Sequence, residues 1–73
     1  MSLKHSEIYK EIGKNVSKFR NKKGMTQEQL ANEVGISYSY ITQIEAPNVA
    51  KKMSLEVLID IAEVLGISVK DLL

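Results

Sequence analysis

A glycine interrupts an amphipathic segment in the middle of the chain, and a helix start signal lies on each side of it. In "TQEQLANEVGISYSYITQIE", residues 26–45, Thr26 and Gln29 have the spacing of a capping box. Ser37 can cap another helix, the third in the chain, expected over about residues 38–45. Gly35 lies between the two segments and can adopt the left-handed conformation that ends a helix. The pattern therefore predicts two short helices separated by a sharp turn, because neither segment can continue into the other.

The rest of the chain has the period of helices and no strand pattern. Apolar residues three and four apart predict a first helix over about residues 6–22, with Ser6 as its N-cap. Ser54 is expected to cap a fourth helix, over about residues 55–65, and Ser68 to begin a last short one. The predicted fold class is therefore all-α, a compact five-helix bundle.

Chain length and composition exclude several classes of protein. With 73 residues, of which 44% are hydrophobic, the chain has room for one domain, residues 1–73, and residues 1–5 are expected to be frayed. There is no cysteine for a disulfide or a thiolate metal site. No apolar stretch approaches the roughly 20 residues of a membrane span, and the first residues lack the core of a signal peptide. We therefore expect a cytoplasmic protein with no membrane partner, metal or cofactor.

Positive charge is concentrated in the first third of the chain, although the net charge is only +1. Residues 1–23 contain seven Lys or Arg and two acids, whereas residues 24–50 contain no Lys or Arg and three acids. Such asymmetry is compatible with a nucleic-acid partner. A basic helix more often simply faces solvent, so the asymmetry alone does not establish such a partner.

The two helices around Gly35 have the form of a helix-turn-helix. In this motif the second helix projects so that it can enter a groove of DNA. Ala31 is small at the position where the two helices would cross closely. The side chains expected to hold them together are apolar: Leu30, Val34, Ile36, Ile41 and Ile44.

This part of the sequence resembles the phage Cro/repressor type of helix-turn-helix, the xenobiotic-response-element family. The stretch "KKGMTQEQLANEVGISYSYITQIE" carries the resemblance, and "SLEVLIDIAEVLGISVKDLL" is similar to the family's fourth and fifth helices. The resemblance covers about residues 8–73 and is greatest to controller proteins of restriction-modification systems and to biofilm and sporulation repressors. It implies a DNA-binding regulator of transcription. The matching positions are Gln27, Ala31, Gly35, Ile41 and Glu45.

Two further points depend on the resemblance. Arg20 occupies the position of the family arginine that pairs with the glutamate closing the third helix, here Glu45, so the two are expected to form a structural ion pair. Ala46 and Pro47 then follow, where the family usually has Arg or Asn and then Gly. A common phosphate contact is therefore missing.

Helix geometry indicates which side chains of the third helix face away from the core. If Ile41 and Ile44 are buried, a rotation of about 100° per residue directs the polar side chains to the opposite side. A glutamine there can pair with adenine, serine hydroxyls can bond to any base, and a threonine methyl can contact thymine. An ordinary polar surface is the alternative for any one of them. The expected base-reading residues are Ser37, Tyr38, Ser39, Thr42 and Gln43.

Phosphate contacts are expected from other elements. Gln27 lies at the start of the second helix, where unpaired backbone N–H groups favour an anion. Tyr40 points sideways from the third helix, and partial burial against the loop explains it equally well. The expected phosphate-binding residues are Gln27, Tyr40, Lys51, Lys52, Lys22 and Lys23.

The fourth helix carries more apolar side chains than one core needs. One line, expected to face inward, consists of Leu55, Leu58, Ile59, Ala62 and Leu65. A second line requires another cover, which is either the N-terminal helix or a two-fold partner. A homodimer is the prediction, with an interface of Val57, Ile61, Val64, Ile67, Leu72 and Leu73.

These observations predict a sequence-specific regulator that binds double-stranded DNA, a homodimeric repressor or controller on a palindromic operator. An enzyme is not expected, because the only histidine is His5 and no acid and base recur at a suggestive spacing. No effector domain or small-molecule ligand is evident. The alternative is a protein-interaction module, such as an antitoxin or anti-repressor, that binds DNA only secondarily.

Overall fold

The computed structural model describes residues 5–73, and four α-helices follow one another in the predicted order. The expected fraying of the first residues falls mostly on positions 1–4, which lie outside the described part. A single 3₁₀ helix, Val69–Leu72, closes the chain. No strand occurs within residues 5–73. The helices are α1 Ser6–Lys22, α2 Gln27–Val34, α3 Tyr38–Glu45 and α4 Leu55–Leu65.

The prediction of five helices is wrong in its count, because the last element is not an α-helix. Its bonds run between residues three apart: the N–H of Asp71 donates to the carbonyl of Ser68 at 2.9 Å, and that of Leu73 to Lys70 at 3.2 Å. Asp71 in turn accepts from the N–H of Ser68 at 3.0 Å. These short bonds produce one tight 3₁₀ turn.

Side-chain caps start three of the α-helices, as the sequence predicts. Thr26 and Gln29 form a reciprocal capping box, with bonds of 2.8 and 3.0 Å. Ser37 accepts from the N–H of Tyr40 at 3.0 Å, and Ser54 caps α4 in the same way. The predicted cap at Ser6 is wrong, since Ser6 is already the first residue of α1 and no side chain caps that end.

The turn between α2 and α3 has the conformation that required glycine. Gly35 has a φ of +87°, in the left-handed region, and its N–H donates to the carbonyl of Ala31 at 2.9 Å. The next N–H, of Ile36, donates to the same carbonyl at 3.0 Å. This turn ends α2 and lets α3 start after only three residues.

The core lies where the helices meet, and every helix contributes to it. Helix α3 packs against α1 and α2, while α4 packs against α2 and α1. Most of the predicted inward residues are buried there. The buried apolar side chains are Ile12, Val16, Leu30, Ala31, Ile41, Ile44, Met53, Leu58, Ile61, Ala62, Leu65 and Leu72.

The inward face of α4 is rotated relative to the predicted one. Leu55 and Ile59 were expected inside, but 65% and 39% of their surfaces are exposed. Ile61 was expected outside and is fully buried. The residues that face inward are spaced by three, four and seven, the period of a single helix face: Leu58, Ile61, Ala62 and Leu65.

Helices α1 and α3 lie in close contact at Gly13, in the middle of α1. A Cβ atom built on Gly13 would overlap the carbonyl oxygen of Ile44. No other residue type fits there unless the two helices move apart. Gly13 therefore allows the end of α3 to lie closer to α1 than any other residue would permit.

None of the helices in residues 5–73 combines the length and the apolar character that crossing a membrane requires.

Candidate nucleic-acid interface

A buried ion pair connects α1 with the end of α3. The Arg20 guanidinium donates to both carboxylate oxygens of Glu45, at 2.8 Å from Nε and 2.9 Å from Nη2. The two side chains are only 11% and 4% exposed. This is the contact that the family resemblance implies, and its two parallel bonds make it a bidentate pair.

Two further bonds extend this ion pair to α2. Arg20 donates through Nη1 to the carbonyl of Met25 at 2.7 Å, and Gln27 donates through Nε2 to Glu45 at 3.1 Å. The hydrogen bond from Arg20 to Glu45 raises the pKa of Arg20, although burial opposes this. The network thus keeps Arg20 charged and ties together both helices of the motif.

The polar row predicted on α3 is on the surface of the molecule. Ser37, Tyr38, Ser39 and Gln43 are exposed, and Thr42 is half-buried. The row also contains bonds of its own: Gln43 donates to the Ser39 hydroxyl at 3.2 Å, and the Thr42 hydroxyl to the Ser39 carbonyl at 2.8 Å. The Thr42 hydroxyl proton is therefore engaged within the helix, so its methyl group and its hydroxyl oxygen, as an acceptor, are the parts that can contact a base without breaking a bond.

A cleft of about 530 Å³ lies at the starts of α2 and α3. Tyr38, predicted to read a base, shares it with Gln27, predicted to bind a phosphate. Because the Gln27 amide already donates one hydrogen to Glu45, only its second N–H can reach an anion. The cleft is lined by Arg20, Thr26, Gln27, Glu28 and Tyr38.

The other predicted phosphate-binding residues have three different environments. Lys22 and Lys52 are exposed to solvent. The Lys51 ammonium lies 5.3 Å from the centroid of the Tyr40 ring, which itself packs partly against the core. The ammonium of Lys23 donates to the carbonyl of Val64 at the end of α4, which leaves two of its three N–H groups for a phosphate.

The predicted dimer interface is wrong at two positions. Ile61 and Leu72 have no exposed surface, because both side chains belong to the core of the chain itself. Asn15 also donates to the Leu72 carbonyl at 2.8 Å, which holds that turn against α1. Val57, Val64 and Ile67 are half-buried, and Leu73 is 65% exposed.

Sequence reasoning missed a groove of about 540 Å³ beside α1. It lies between the exposed face of α1 and residues 45–47, at the end of α3. The sequence contained a signal for this groove, because lysines recur every four residues along α1 and must share one face of the helix. The groove is lined by Glu7, Lys10, Glu11, Lys14, Ser17, Lys18, Glu45, Ala46 and Pro47.

This geometry agrees with comparisons to known families. Residues 16–72 match the helix-turn-helix family, and the chain belongs to that family, in its Cro/C1 type. Its members are DNA-binding regulators of transcription, which are generally not enzymes. No curated protein sequence matches the chain.

Three solved structures show the same arrangement of helices. The clp gene regulator ClgR from Corynebacterium glutamicum is 31% identical, with a TM-score of 0.82 over 89% of this chain and 67% of ClgR. The restriction-modification controller protein C.AhdI from Aeromonas hydrophila is 28% identical, with a TM-score of 0.81 over 94% of this chain and 100% of C.AhdI. The biofilm master regulator SinR, solved in complex with DNA, is 33% identical, with a TM-score of 0.77 over 84% of this chain and 95% of SinR.

Proposed function

We propose that this chain is a sequence-specific regulator of transcription that places α3 in the major groove of double-stranded DNA. The observation that carries the proposal is the exposed polar row on α3, opposite the buried Ile41 and Ile44. In a helix-turn-helix the second helix reads base edges in this way. The Arg20–Glu45 pair supports the proposal, since it anchors the end of α3 against α1.

The side chains in the proposed interface have separate roles. Gln43 is the best candidate for specificity, because an amide can bond to N6 and N7 of adenine at once. Lys52 and Lys22 bring charge to the backbone, and Gln27 adds a donor at the start of α2. The remaining base contacts are assigned to Ser37, Tyr38, Ser39 and Thr42.

The proposal includes a homodimer on a palindromic operator. With Ile61 and Leu72 in the core, the interface is reduced to a C-terminal apolar patch of Val57, Val64, Ile67 and Leu73. Such a patch can be self-complementary around a two-fold axis. Two copies of α3 then meet successive major grooves, which favours occupation of a symmetric site and exclusion of other proteins from it. A role on DNA also fits the cytoplasmic location predicted from the sequence.

Selection of bound duplexes from a random DNA library tests this function. We expect an enriched sequence with two-fold symmetry, since the symmetry of a site follows that of the protein. A library that yields no enriched sequence would exclude sequence-specific binding. An enriched sequence without symmetry would retain the DNA-binding function and remove the homodimer.

Exposed apolar residues on α4 favour a second candidate function, binding of another protein. Leu55 and Ile59 lie on the surface without a cover from residues 5–73, as expected of a module that binds another protein. In that case Leu55→Glu would abolish binding to the partner and leave DNA affinity unchanged. The library experiment separates the two functions, because a pure interaction module would enrich no sequence.

A further inference from the structure

The groove beside α1 contains a row of lysines that the proposed contacts of α3 do not use. Lys10, Lys14 and Lys18 lie along one wall at intervals of four residues. Residues four apart on a helix are neighbours, about 6 Å apart along its axis. The opposite wall is formed by residues 45–47, directly after the last turn of α3. The row therefore borders the end of the helix that we place in the DNA groove.

The charges in this groove are not equivalent. Glu45 is neutralised by Arg20, and Lys10 lies 3.9 Å from Glu7, so both belong to ion pairs. Lys14 and Lys18 form no salt bridge within residues 5–73. Glu11, the remaining acid of the groove, is also exposed and precedes both of them. From residue 12 to residue 23 the chain contains five Lys or Arg and no acid, so the positive potential increases toward the end of α1.

The opposite wall has no side chain that can donate a hydrogen bond to an anion in this groove. Ala46 has no polar side-chain atom, and Pro47 has neither a side-chain donor nor a backbone N–H. Positive charge and side-chain donors for an anion between the two walls must therefore come from α1. The Lys18 ammonium lies 5.1 Å from the centroid of the Phe19 ring, a contact that restricts its position without neutralising its charge.

We propose that Lys14 and Lys18 bind phosphates of the DNA backbone just outside the base pairs that α3 reads. The inference rests on the proposed function, because it extends the same DNA surface past the end of α3. A phosphodiester backbone is favoured as the occupant, since the groove is continuous with α3 and lysine binds phosphate as a point charge. An acidic segment of a protein is the alternative occupant, and the experiment below distinguishes it.

Salt dependence of DNA binding measures these contacts directly. Dissociation constants are measured for a selected duplex and a random one between about 50 and 200 mM salt. Over this range the loss of a phosphate contact changes the salt dependence measurably. We then compare the slope of log Kd against the logarithm of the salt concentration. For the double variant Lys14→Gln/Lys18→Gln this slope should be smaller than for the wild type by about 1.8, or about 0.9 per contact. Affinity should fall by the same factor on both duplexes, because phosphates carry no sequence information.

Two single variants serve as matched controls. Lys10→Gln removes a lysine of the same groove that lies between two acids of α1, Glu7 and Glu11, and Lys70→Gln removes an exposed lysine of the 3₁₀ helix. Both should leave the slope within about 0.3 of the wild-type value, much less than one phosphate contact. A duplex trimmed at its outer flanks adds a further control: trimming should lower the slope for the wild type and leave the double variant unchanged.

Each outcome separates the inference from the function on which it rests. An unchanged slope for the double variant, with normal sequence preference, would overturn the α1 contact and leave the proposed function intact. If Lys10→Gln and Lys70→Gln lower the slope as much per lysine as the double variant does, the effect is one of net charge, and the α1 contact is also overturned. If the double variant loses affinity for poly-glutamate but not for DNA, the occupant is an acidic polypeptide. If the wild type binds neither duplex, the proposed function itself is wrong.

Discussion

At the scale of single residues, the Arg20–Glu45 pair shows how a buried charge can be both costly and specific. Desolvation of the two groups is offset by four hydrogen bonds: Glu45 accepts two from Arg20 and one from Gln27, and Arg20 donates one more to the carbonyl of Met25. A pair of this kind adds little net stability compared with apolar residues of the same shape, but it is damaging when only one partner is lost. Its value in this fold is geometric, because it fixes the end of α3 relative to α1 and α2.

The first prediction measures that coupling. Glu45→Gln should lower the free energy of unfolding by about 3 kcal/mol, because Arg20 then stays buried without its counter-charge. Arg20→Met in the same background should recover part of the loss, giving an interaction energy of at least about 1 kcal/mol in a double-mutant cycle. Thermal or denaturant unfolding provides the measurement. Strict additivity would mean that the two side chains do not contact each other.

Glu7→Gln is the control for this cycle. Glu7 and Lys10 form an ion pair too, but the Glu7 side chain is 91% exposed, and exposed pairs contribute little.

The raised pKa of Arg20 sets the pH dependence of this stabilisation. A group whose pKa is raised in the folded state stabilises the protein fully at every pH below its pKa in the unfolded chain. The loss of unfolding free energy in Glu45→Gln should therefore be the same at about pH 6 and at about pH 8, on either side of neutrality.

A second prediction at this scale separates base contacts from phosphate contacts. Gln43→Ala should cost about 1–3 kcal/mol on the selected duplex and relax preference at one base pair. Lys52→Ala should weaken binding to all duplexes alike and lower the salt slope by about one. Competition titrations with selected and random DNA give both quantities. Equal losses on both DNAs for Gln43→Ala would remove the residue from the base-reading set.

At the scale of helices, local signals predicted most of the fold. Thr26, Ser37 and Ser54 cap the helices they were expected to start, and Gly35 has the left-handed φ that its position required. Capping and glycine conformation depend on a few neighbouring residues, so the sequence contains them. The rotation of α4 depends on distant partners: once Leu72 and Met53 fill the core beside it, Ile61 turns inward and Leu55 outward. Periodicity alone could not decide between two apolar lines on one helix.

The exposed polar side of α3 followed from the sequence for the same reason, since two buried isoleucines define the opposite face. The groove beside α1 did not, because its second wall, residues 45–47, is 27 residues or more away from Lys18 along the chain. Gly13 was also missed. A glycine in the middle of a helix was a signal, because glycine is unfavourable there unless another element comes close.

The third prediction concerns that close approach. In an unconstrained helix, Gly13→Ala would stabilise by about 1 kcal/mol, because alanine is the better helix former. In this protein the new methyl group would overlap the Ile44 carbonyl, and we expect a net loss of about 1–3 kcal/mol as α1 and α3 separate. Glu11→Ala, at an exposed position of the same helix, should change stability by less than about 0.5 kcal/mol. A Gly13→Ala variant more stable than the wild type would show that the two helices can move apart freely.

At the scale of the whole molecule, charge divides the surface into two parts. The lysine row of α1 lies along the groove at the end of α3, whereas exposed Glu56 and Glu63 lie on α4. A protein with a net charge of +1 can therefore still present a positive surface to DNA. Neither acid lines the cleft at the starts of α2 and α3 or the groove beside α1, and the C-terminal apolar patch remains available for contact with a second copy.

The last prediction uses two leucines to locate that contact. Leu73 belongs to the C-terminal apolar patch, whereas Leu55 is the first residue of α4 and does not belong to it; both are 65% exposed, so a glutamate at either position should leave the fold intact. If the patch forms the two-fold interface, Leu73→Glu should give a monomer in sedimentation and Leu55→Glu should not, because only the first places like charges near the axis. A two-fold dimer presents its copies of α3 to successive major grooves, about 34 Å or 10 base pairs apart. Leu73→Glu should therefore bind a half-site normally but lose cooperative binding to the full site. The reverse pattern would move the interface to Leu55 and Ile59, and a wild type that sediments as a monomer and fills half-sites independently would exclude the dimer.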